Sequence, residues 1–359
     1  MKKLKCFVVD DSVLYRTQVR NALESMSFCE VVCTAADGKF AISKIPNNES
    51  DLMVLDLEMP EMDGLETLKQ LKQMNYQGKI IMFASSTQRS ADVTLEALSL
   101  GASDFVAKPG ADGKGESPAE KIRHALEGKI KALFPELSNI VQLPVTKSNS
   151  DYEKVIWDLM KPKILVIGSS TGGPTALEKI FRHIRGDFNC PVVITQHMPP
   201  VFTNSFAKRL DGLVNATVIE AKDGLLLQPN HIYVAPGGYH LALTGKKNFT
   251  KTKIIDGEKI NSIKPSVDPL FQTAAEIYGE NCLGLILTGM GSDGLNGCIE
   301  VKNKGGAIYI QDKESCAVWG MPACVHREGA YDKMGNLNQI IDMLHDKVIT
   351  NVKSLRKSG

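Results

Sequence analysis

The feature that most limits the fold is an alternation. Short runs of apolar and β-branched residues are each followed by a polar or glycine-rich turn, and then by a segment with helical spacing. In the first half the spacing predicts strands at 5–9, 31–35, 52–57, 79–84 and 105–107. Helices are expected at 14–26, 39–45, 65–74 and 93–100, with a last one opening at Ser117-Pro118-Ala119-Glu120, a capping box with proline at the first helical position. The second half repeats the pattern, with strands at 163–167, 191–196, 281–288 and 307–310, and helices at 175–185, 202–210, 267–277 and from Leu295. Residues 216–244 read as short strands and turns. Strands that alternate with helices form parallel sheets covered on both faces, so the predicted class is α/β with doubly wound sheets.

With 359 residues the chain has room for two domains. Residues 135–161 lack a clear period, carry Pro135 and Pro144, and include a polar run at 146–151; they are read as a linker between domains at 1–134 and 162–352. Within it, 152–160 fits one or two helical turns. No internal repeat is visible.

Composition removes several functions. The formal net charge is +1 with no long basic block, which argues against nucleic acid as a main partner. The apolar run near the N-terminus stops at Asp10, too short for a signal peptide, and no segment approaches the roughly 20 apolar residues of a membrane helix. The eight cysteines form no Cys-x-x-Cys pair and read as reduced packing residues of a cytoplasmic protein.

In doubly wound sheets the working residues sit at the carboxyl ends of strands. In the first half those ends carry Asp10, Asp11, Asp56, the cluster Ser85-Ser86-Thr87, and Lys108. Three carboxylates on one edge repel one another unless a cation neutralises them, and all-oxygen ligation suits Mg²⁺. The plain alternative is three solvated loop aspartates.

In the second half, 162–174 reads as strand, glycine-rich turn and helix. A dinucleotide site wants Gly-x-Gly-x-x-Gly, but Ser170 stands where the second glycine belongs. A P-loop wants a lysine where Pro174 stands. Gly168-x-Ser170-x-Gly172 fits the turn that presents a nucleophilic serine. A bland turn or an anion site stays open on this stretch alone. A nucleophilic serine needs a base and an orienting acid. His197 and Asp293 lie at two further strand-to-helix junctions; His240 is a rival base, and Asp293 before Gly294-Leu295 also reads as a helix N-cap.

The Asp-Asp-Ser, the Leu-Asp-x-x-Met-Pro-x-Met-Asp-Gly run and the Lys-Pro at 108–109 resemble the receiver domain of two-component response regulators over roughly residues 3 to 125. The resemblance implies a flavodoxin-like domain with Asp56 as phosphoacceptor, Mg²⁺ on Asp11 and Asp56, and Lys108 paired with the phosphoryl group beside Asp10. One position departs from the family pattern: the switch hydroxyl expected after Met82-Phe83 is Ala84, with Ser85 next. Either the register shifts by one or switching is weaker.

Gly-Ser-Ser-Thr-Gly-Gly at 168–173, Thr-Gln-His-Met-Pro-Pro at 195–200, Lys-Pro-Ser-Val-Asp at 264–268 and Leu-Thr-Gly-Met-Gly-x-Asp-Gly at 287–294 are similar to the catalytic domain of the CheB chemotaxis methylesterases, over roughly 162–350. This resemblance implies Ser170 as nucleophile, His197 as base, Asp293 as orienting acid, and the backbone N–H groups of Thr171 and Met290 as oxyanion donors. It further implies hydrolysis of glutamyl methyl esters, and deamidation of glutamines, on the cytoplasmic helices of chemoreceptors. A CheA-type histidine kinase would charge the receiver. No cofactor is expected for the ester chemistry, and the protein is expected to be a monomer. A regulator that only docks on partners and a nucleotide-dependent enzyme are the rival readings.

Overall fold

The computed structural model describes residues 3–109, 117–137, 157 and 160–350. The chain forms two compact units, Met1–Val141 and Gln142–Gly359. Most of the expected linker, and nearly all of its expected helical turn, lies outside the described residues.

The first unit carries β1 (Leu4–Val9), α1 (Val13–Glu24), β2 (Cys29–Ala35), α2 (Gly38–Lys44), β3 (Leu52–Asp56), α3 (Gly64–Gln73), β4 (Lys79–Ala84), α4 (Gln88–Leu100), β5 (Asp104–Ala107) and α5 (Pro118–Leu133). Its sheet is parallel throughout, in the order β2-β1-β3-β4-β5. This is the flavodoxin-like order, with the reversal between β1 and β3. Every residue of β3 is buried, as a central parallel strand covered on both faces must be, and this explains its unbroken apolar run. The capping box of α5 is present: Glu120 N–H donates to Ser117 Oγ at 3.3 Å, and Ser117 N–H to Glu120 Oε2 at 2.9 Å. α4 starts five residues before its expected position, because its first turn, Gln88-Arg89-Ser90, is polar and hides the period. Thr87 caps it, accepting from Ser90 N–H at 3.2 Å.

The second unit carries β6 (Ile164–Ser169), α6 (Gly173–His183), β7 (Asp187–Phe188), β8 (Val192–Gln196), α7 (Phe202–Asp211), β9 (Thr217–Glu220), β10 (His231–Val234), β11 (His240–Lys246), β12 (Phe249–Ile255), α8 (Asp268–Tyr278), β13 (Cys282–Ile286), α9 (Leu295–Asn303), β14 (Ala307–Gln311), α10 (Met321–Arg327), β15 (Lys333–Gly335), α11 (Leu337–Lys347) and β16 (Ile349–Thr350). Seven strands form a parallel sheet in the order β15-β14-β13-β6-β8-β10-β9. β6 is its middle strand, and all its residues are buried. Each such aliphatic side chain stabilises the fold by about 1.5–3 kcal/mol. After β6 the chain steps to one side, and it returns at β13 on the other, so the crevice at the ends of β6 and β13 is the switch point.

Several elements depart from the sequence reading, among them the short strands β7, β15 and β16, to which it assigns nothing. β11 and β12 pair as an antiparallel hairpin; its threonines and lysines hide the alternation. The helices α10 and α11 lie where the sequence reading assigns nothing, although α11 begins with a capping box of Asn336 and Gln339. All eight cysteines are free thiols, five of them buried. Among the described residues no helix is long and apolar enough to cross a membrane.

Candidate functional sites

Asp10 follows β1, Asp56 ends β3 and Lys108 follows β5. The Lys108 ammonium lies 2.8 Å from Asp56 Oδ2 and 3.3 Å from Asp10 Oδ2. Beyond that ion pair both oxygens are buried without a hydrogen-bond partner. The other oxygens are held locally: Asp56 Oδ1 accepts from Leu57 N–H at 2.7 Å, and Asp10 Oδ1 from Ser12 N–H at 2.9 Å. Lys108 is clasped between the rings of Tyr15 and Phe83, at 4.8 and 5.3 Å.

Burial dominates the charges here. It pushes the Asp56 carboxyl up to about 6; Lys108 opposes the shift, and the neighbouring Asp10 charge adds to it. Asp10 is raised for the same reason, with Lys108 opposing. Burial pulls Lys108 down, but the two carboxylates outweigh it and raise its pKa. Asp10, Asp11 and Asp56 each place an oxygen within 4.8 Å of the others. A hard cation is the group this cluster fits: three carboxylates, two of them with buried oxygens that have no partner besides the one Lys108 ammonium. The expected ligand pair, Asp11 and Asp56, is thus joined by Asp10.

The register resolves the departure at the switch position. Asp56 pairs with Phe83, so Ala84 is the next residue of β4 and is fully buried. Ser85 lies one step further on, its hydroxyl 3.4 Å from Thr87 Oγ1. The register does not shift, and no hydroxyl side chain occupies the strand end.

In the second unit three junctions meet around the middle strand. Ser170 follows β6, His197 follows β8, and Asp293 lies in the loop after β13. Backbone bonds stitch these loops together: Ser170 N–H donates to Thr288 O at 3.0 Å, and His197 N–H to Ser169 O at 3.0 Å. Gln196, buried, adds a clamp that sequence reasoning missed. Its Nε2 donates to Ser170 O at 3.0 Å and to His197 O at 3.2 Å, while its Oε1 accepts from Ser169 Oγ at 2.6 Å.

The glycines of the turn have separate reasons. A Cβ on Gly168 would lie 2.6 Å from Val267 Cγ1, so this one keeps the strand close to the next loop. Gly172 has φ of 77°, and it carries the left-handed backbone that lets α6 begin. The strained residue of the turn is therefore Gly172 and not Ser170. The turn does not hold open a phosphate cradle, since the N–H groups of Ser170 and Gly173 bond to Thr288 O and Ser170 O.

His197 Nε2 and Asp293 Oδ2 are 2.7 Å apart, with only 9% of the His197 side chain exposed and none of the Asp293 side chain. Asp293 Oδ2 also accepts from Val267 N–H at 2.7 Å, and Oδ1 from Ser266 Oγ at 2.6 Å. Burial alone would raise this carboxyl; His197, Ser266 and Val267 outweigh it and hold it below the usual carboxylate range. Asp293 is not the N-cap of α9, a position that Gly294 takes without a side-chain bond. No hydrogen bond joins Ser170 Oγ to His197; in ligand-free enzymes such contacts often close only when substrate is bound. His240, the rival base, is buried with both ring nitrogens engaged, by Ser266 N–H at 3.1 Å and Glu258 O at 2.8 Å. Of the expected oxyanion donors, Met290 is 36% exposed and its N–H has no acceptor among the described residues. Gly289 before it is fixed by Val318 O and Met321 N–H. Thr171 is buried, and its carbonyl accepts from Thr288 Oγ1 at 3.0 Å.

Comparison with known proteins bears on the family and the fold. The CheB methylesterase family model matches residues 165–344, and that of the response regulator receiver domain matches residues 6–116. A protein-glutamate methylesterase/protein-glutamine glutaminase of Trichodesmium erythraeum is 40% identical over 345 residues, covering 95% of this chain and 98% of that protein. A protein of the same name from a Nocardioides species is 38% identical over 339 residues, covering 93% and 92%. The crystal structure of the Thermotoga maritima CheB methylesterase catalytic domain matches with a TM-score of 0.50 and 43% identity, over 52% of this chain and 99% of that one. Receiver domains imply Mg²⁺-dependent phosphorylation in general, which the acidic cluster fits. The chain belongs to the CheB methylesterase family, with a response regulator receiver domain ahead of the catalytic part.

Proposed function

We propose that the protein is a phosphorylation-regulated protein-glutamate methylesterase, acting on glutamyl methyl esters of chemoreceptor helices and deamidating receptor glutamines. Residues 1–134 are the receiver, 135–161 the linker and 162–352 the catalytic domain. The observation that carries the reading is the buried His197–Asp293 pair, clamped through Gln196 to the Ser170 turn.

Ser170 Oγ attacks the ester carbonyl carbon, and its proton passes to His197. Asp293 holds Nε2, so Nδ1 is the nitrogen left to accept that proton. Negative charge builds on the carbonyl oxygen, where the N–H groups of Met290 and Thr171 receive it. The carbon–methoxy bond then breaks, and the imidazolium gives its proton to the leaving oxygen, releasing methanol. Water, deprotonated by His197, opens the acyl-enzyme to the glutamate and restores Ser170. A glutamine follows the same course with ammonia as leaving group. In the receiver, Asp56 accepts the phosphoryl group from a CheA-type kinase, and Lys108 pairs with the charge it brings. Asp10, Asp11 and Asp56 would hold Mg²⁺, which supplies neutralisation of that charge.

The test is methanol release from a methylated receptor, together with labelling by an active-site serine probe. Methanol release with the probe attached at Ser170 is the expected result. A protein that is labelled elsewhere, or that releases no methanol, sinks the reading. Acetyl phosphate with Mg²⁺ should raise the rate about 5–150-fold, the range of ordinary allosteric coupling.

A further inference from the structure

We propose that Ser266 is a positioning residue of the catalytic site: its hydroxyl fixes the Asp293 carboxylate so that Oδ2 is always presented to His197. The proposal rests on the reading of Ser170, His197 and Asp293 as the catalytic group, and it assigns a role to a residue outside that group.

Three donors reach Asp293. Two of them, His197 Nε2 and Val267 N–H, meet at Oδ2. The third, Ser266 Oγ at 2.6 Å, is the only donor on Oδ1 among the described residues. Turning about the Cβ–Cγ bond carries both oxygens away from their donors, so the bond on Oδ1 adds to the two on Oδ2 in holding the carboxylate in one orientation, and its loss leaves a buried oxygen that gains by turning toward another donor. Ser266 and Asp293 are 0% and 1% exposed, so water does not replace a missing donor there. The hydroxyl is itself aimed from behind. Ser266 N–H donates to His240 Nδ1 at 3.1 Å, and His240 Nε2–H donates to Glu258 O at 2.8 Å. This is why His240 is buried with both nitrogens used. The Val267 N–H belongs to the backbone and only proline would remove it, whereas the Ser266 hydroxyl is removed by alanine.

The interaction matters most when His197 becomes imidazolium, because the carboxylate then has to meet a full charge in one orientation. Its loss should therefore fall on kcat and leave KM nearly unchanged. Ser266→Ala in the full-length protein should lower kcat for receptor methanol release by roughly 10–100-fold. Ser266→Thr keeps the hydroxyl and should recover much of that loss. Proton NMR of the intact protein supplies a readout that packing alone does not move. The downfield resonance of the His197 Nε2 proton should be present in the wild type and in Ser266→Thr, and broadened or shifted upfield in Ser266→Ala. Thermal unfolding of all three shows whether each is folded.

A folded Ser266→Ala protein with kcat within about twofold of wild type overturns the proposal. So does a Ser266→Thr protein as slow as Ser266→Ala that nonetheless keeps the wild-type imidazole resonance. If Ser266→Ala does not fold, the folded Ser266→Thr protein decides through its kcat and its resonance. Failure of the underlying reading has a different mark: Ser170→Ala would stay active, and no change at Ser266 would then bear on the chemistry.

Discussion

At the edge of the first sheet, Asp10 and Asp56 share one ammonium and keep buried oxygens with no other donor. At the edge of the second, Asp293 has a donor on each oxygen and an imidazole besides. Both edges lie at a switch point of a parallel sheet, and both bury their carboxylates. Burial is the first cause acting on Asp56 and on Asp293, and it pushes each of them up. The opposite outcomes come from the company each carboxylate keeps. Asp56 has a second carboxylate beside it and ends near 6, while Asp293, although its charge reaches Asp268, is held by His197, Ser266 and Val267 and ends below the ordinary range. One edge is finished when the chain folds. The other, on the proposed reading, is finished only when a cation and a phosphoryl group bind.

The largest effect that sharpens this contrast is at the nucleophile. Ser170→Ala should lower receptor methanol release by about 10⁴-fold or more, while the receiver still takes up phosphoryl from acetyl phosphate. Retention of more than a few per cent of the rate would mean the nucleophile is another residue. Next comes Asp293→Asn. An amide has one acceptor oxygen, so it cannot serve His197, Val267 and Ser266 together, and it turns an N–H₂ toward one of these donors. The expected loss in kcat is about 10⁴-fold, the size seen for the same change in serine proteases; a loss under tenfold argues that Asp293 does not orient the imidazole.

A smaller effect tests the crowded edge. With Asp56 pushed from 3.8 to about 6 on folding, the folded receiver binds this proton more tightly than the unfolded chain. The group therefore subtracts stability as pH rises through that window, and the penalty is complete above it. Asp56→Asn should raise the stability of the receiver transition at pH 7.5 by about 1–3 kcal/mol and by almost nothing at pH 4. Mg²⁺ should raise the wild-type midpoint at pH 7.5 more than that of Asp56→Asn. Equal midpoints for the two proteins at pH 7.5 would break the comparison. The same variant should take up no phosphoryl group.

The smallest effect is at the strand end beside Asp56. With Ala84 in place of a hydroxyl, the link from phosphorylation to the rest of the receiver lacks one hydrogen bond. Ala84→Ser should increase activation by acetyl phosphate by about two- to fivefold, the effect of one modest hydrogen bond. An unchanged ratio of rates with and without acetyl phosphate would show that switching here needs no such hydroxyl.

The alternation of apolar runs and helical spacing was enough to read both parallel sheets, because central strands buried on both faces leave little choice of residue. Ser170 was legible from its glycines, and His197 and Asp293 from their places after strands. Asp293 also read as a helix cap, since Asp before Gly-Leu has that local meaning; its partners, Ser266 and Val267, lie in a loop that only the folded chain brings near. Ser266 and Gln196 lie inside two of the stretches that carry the resemblance, yet nothing in those stretches says what either side chain does. Each is a single polar residue whose meaning is a hydrogen bond across the sheet. The hairpin β11–β12 is not legible because β12 sets its exposed lysines against buried threonines rather than apolar residues, and α10 because it is seven residues long and opens on Met-Pro.

His197 and Asp293 are 96 positions apart in the chain, and the strands that carry them flank β6 on opposite sides. Their hydrogen bond thus closes only after two distant crossovers have both docked on the same middle strand. Contacts of such long sequence separation form late and slowly. During refolding, helical signal from α6, α7 and α8 should return well before the ability to release methanol. Catalysis would then serve as a clock for the last long-range docking event, and a chain nicked between β8 and β13 should regain its rate with a concentration-dependent lag.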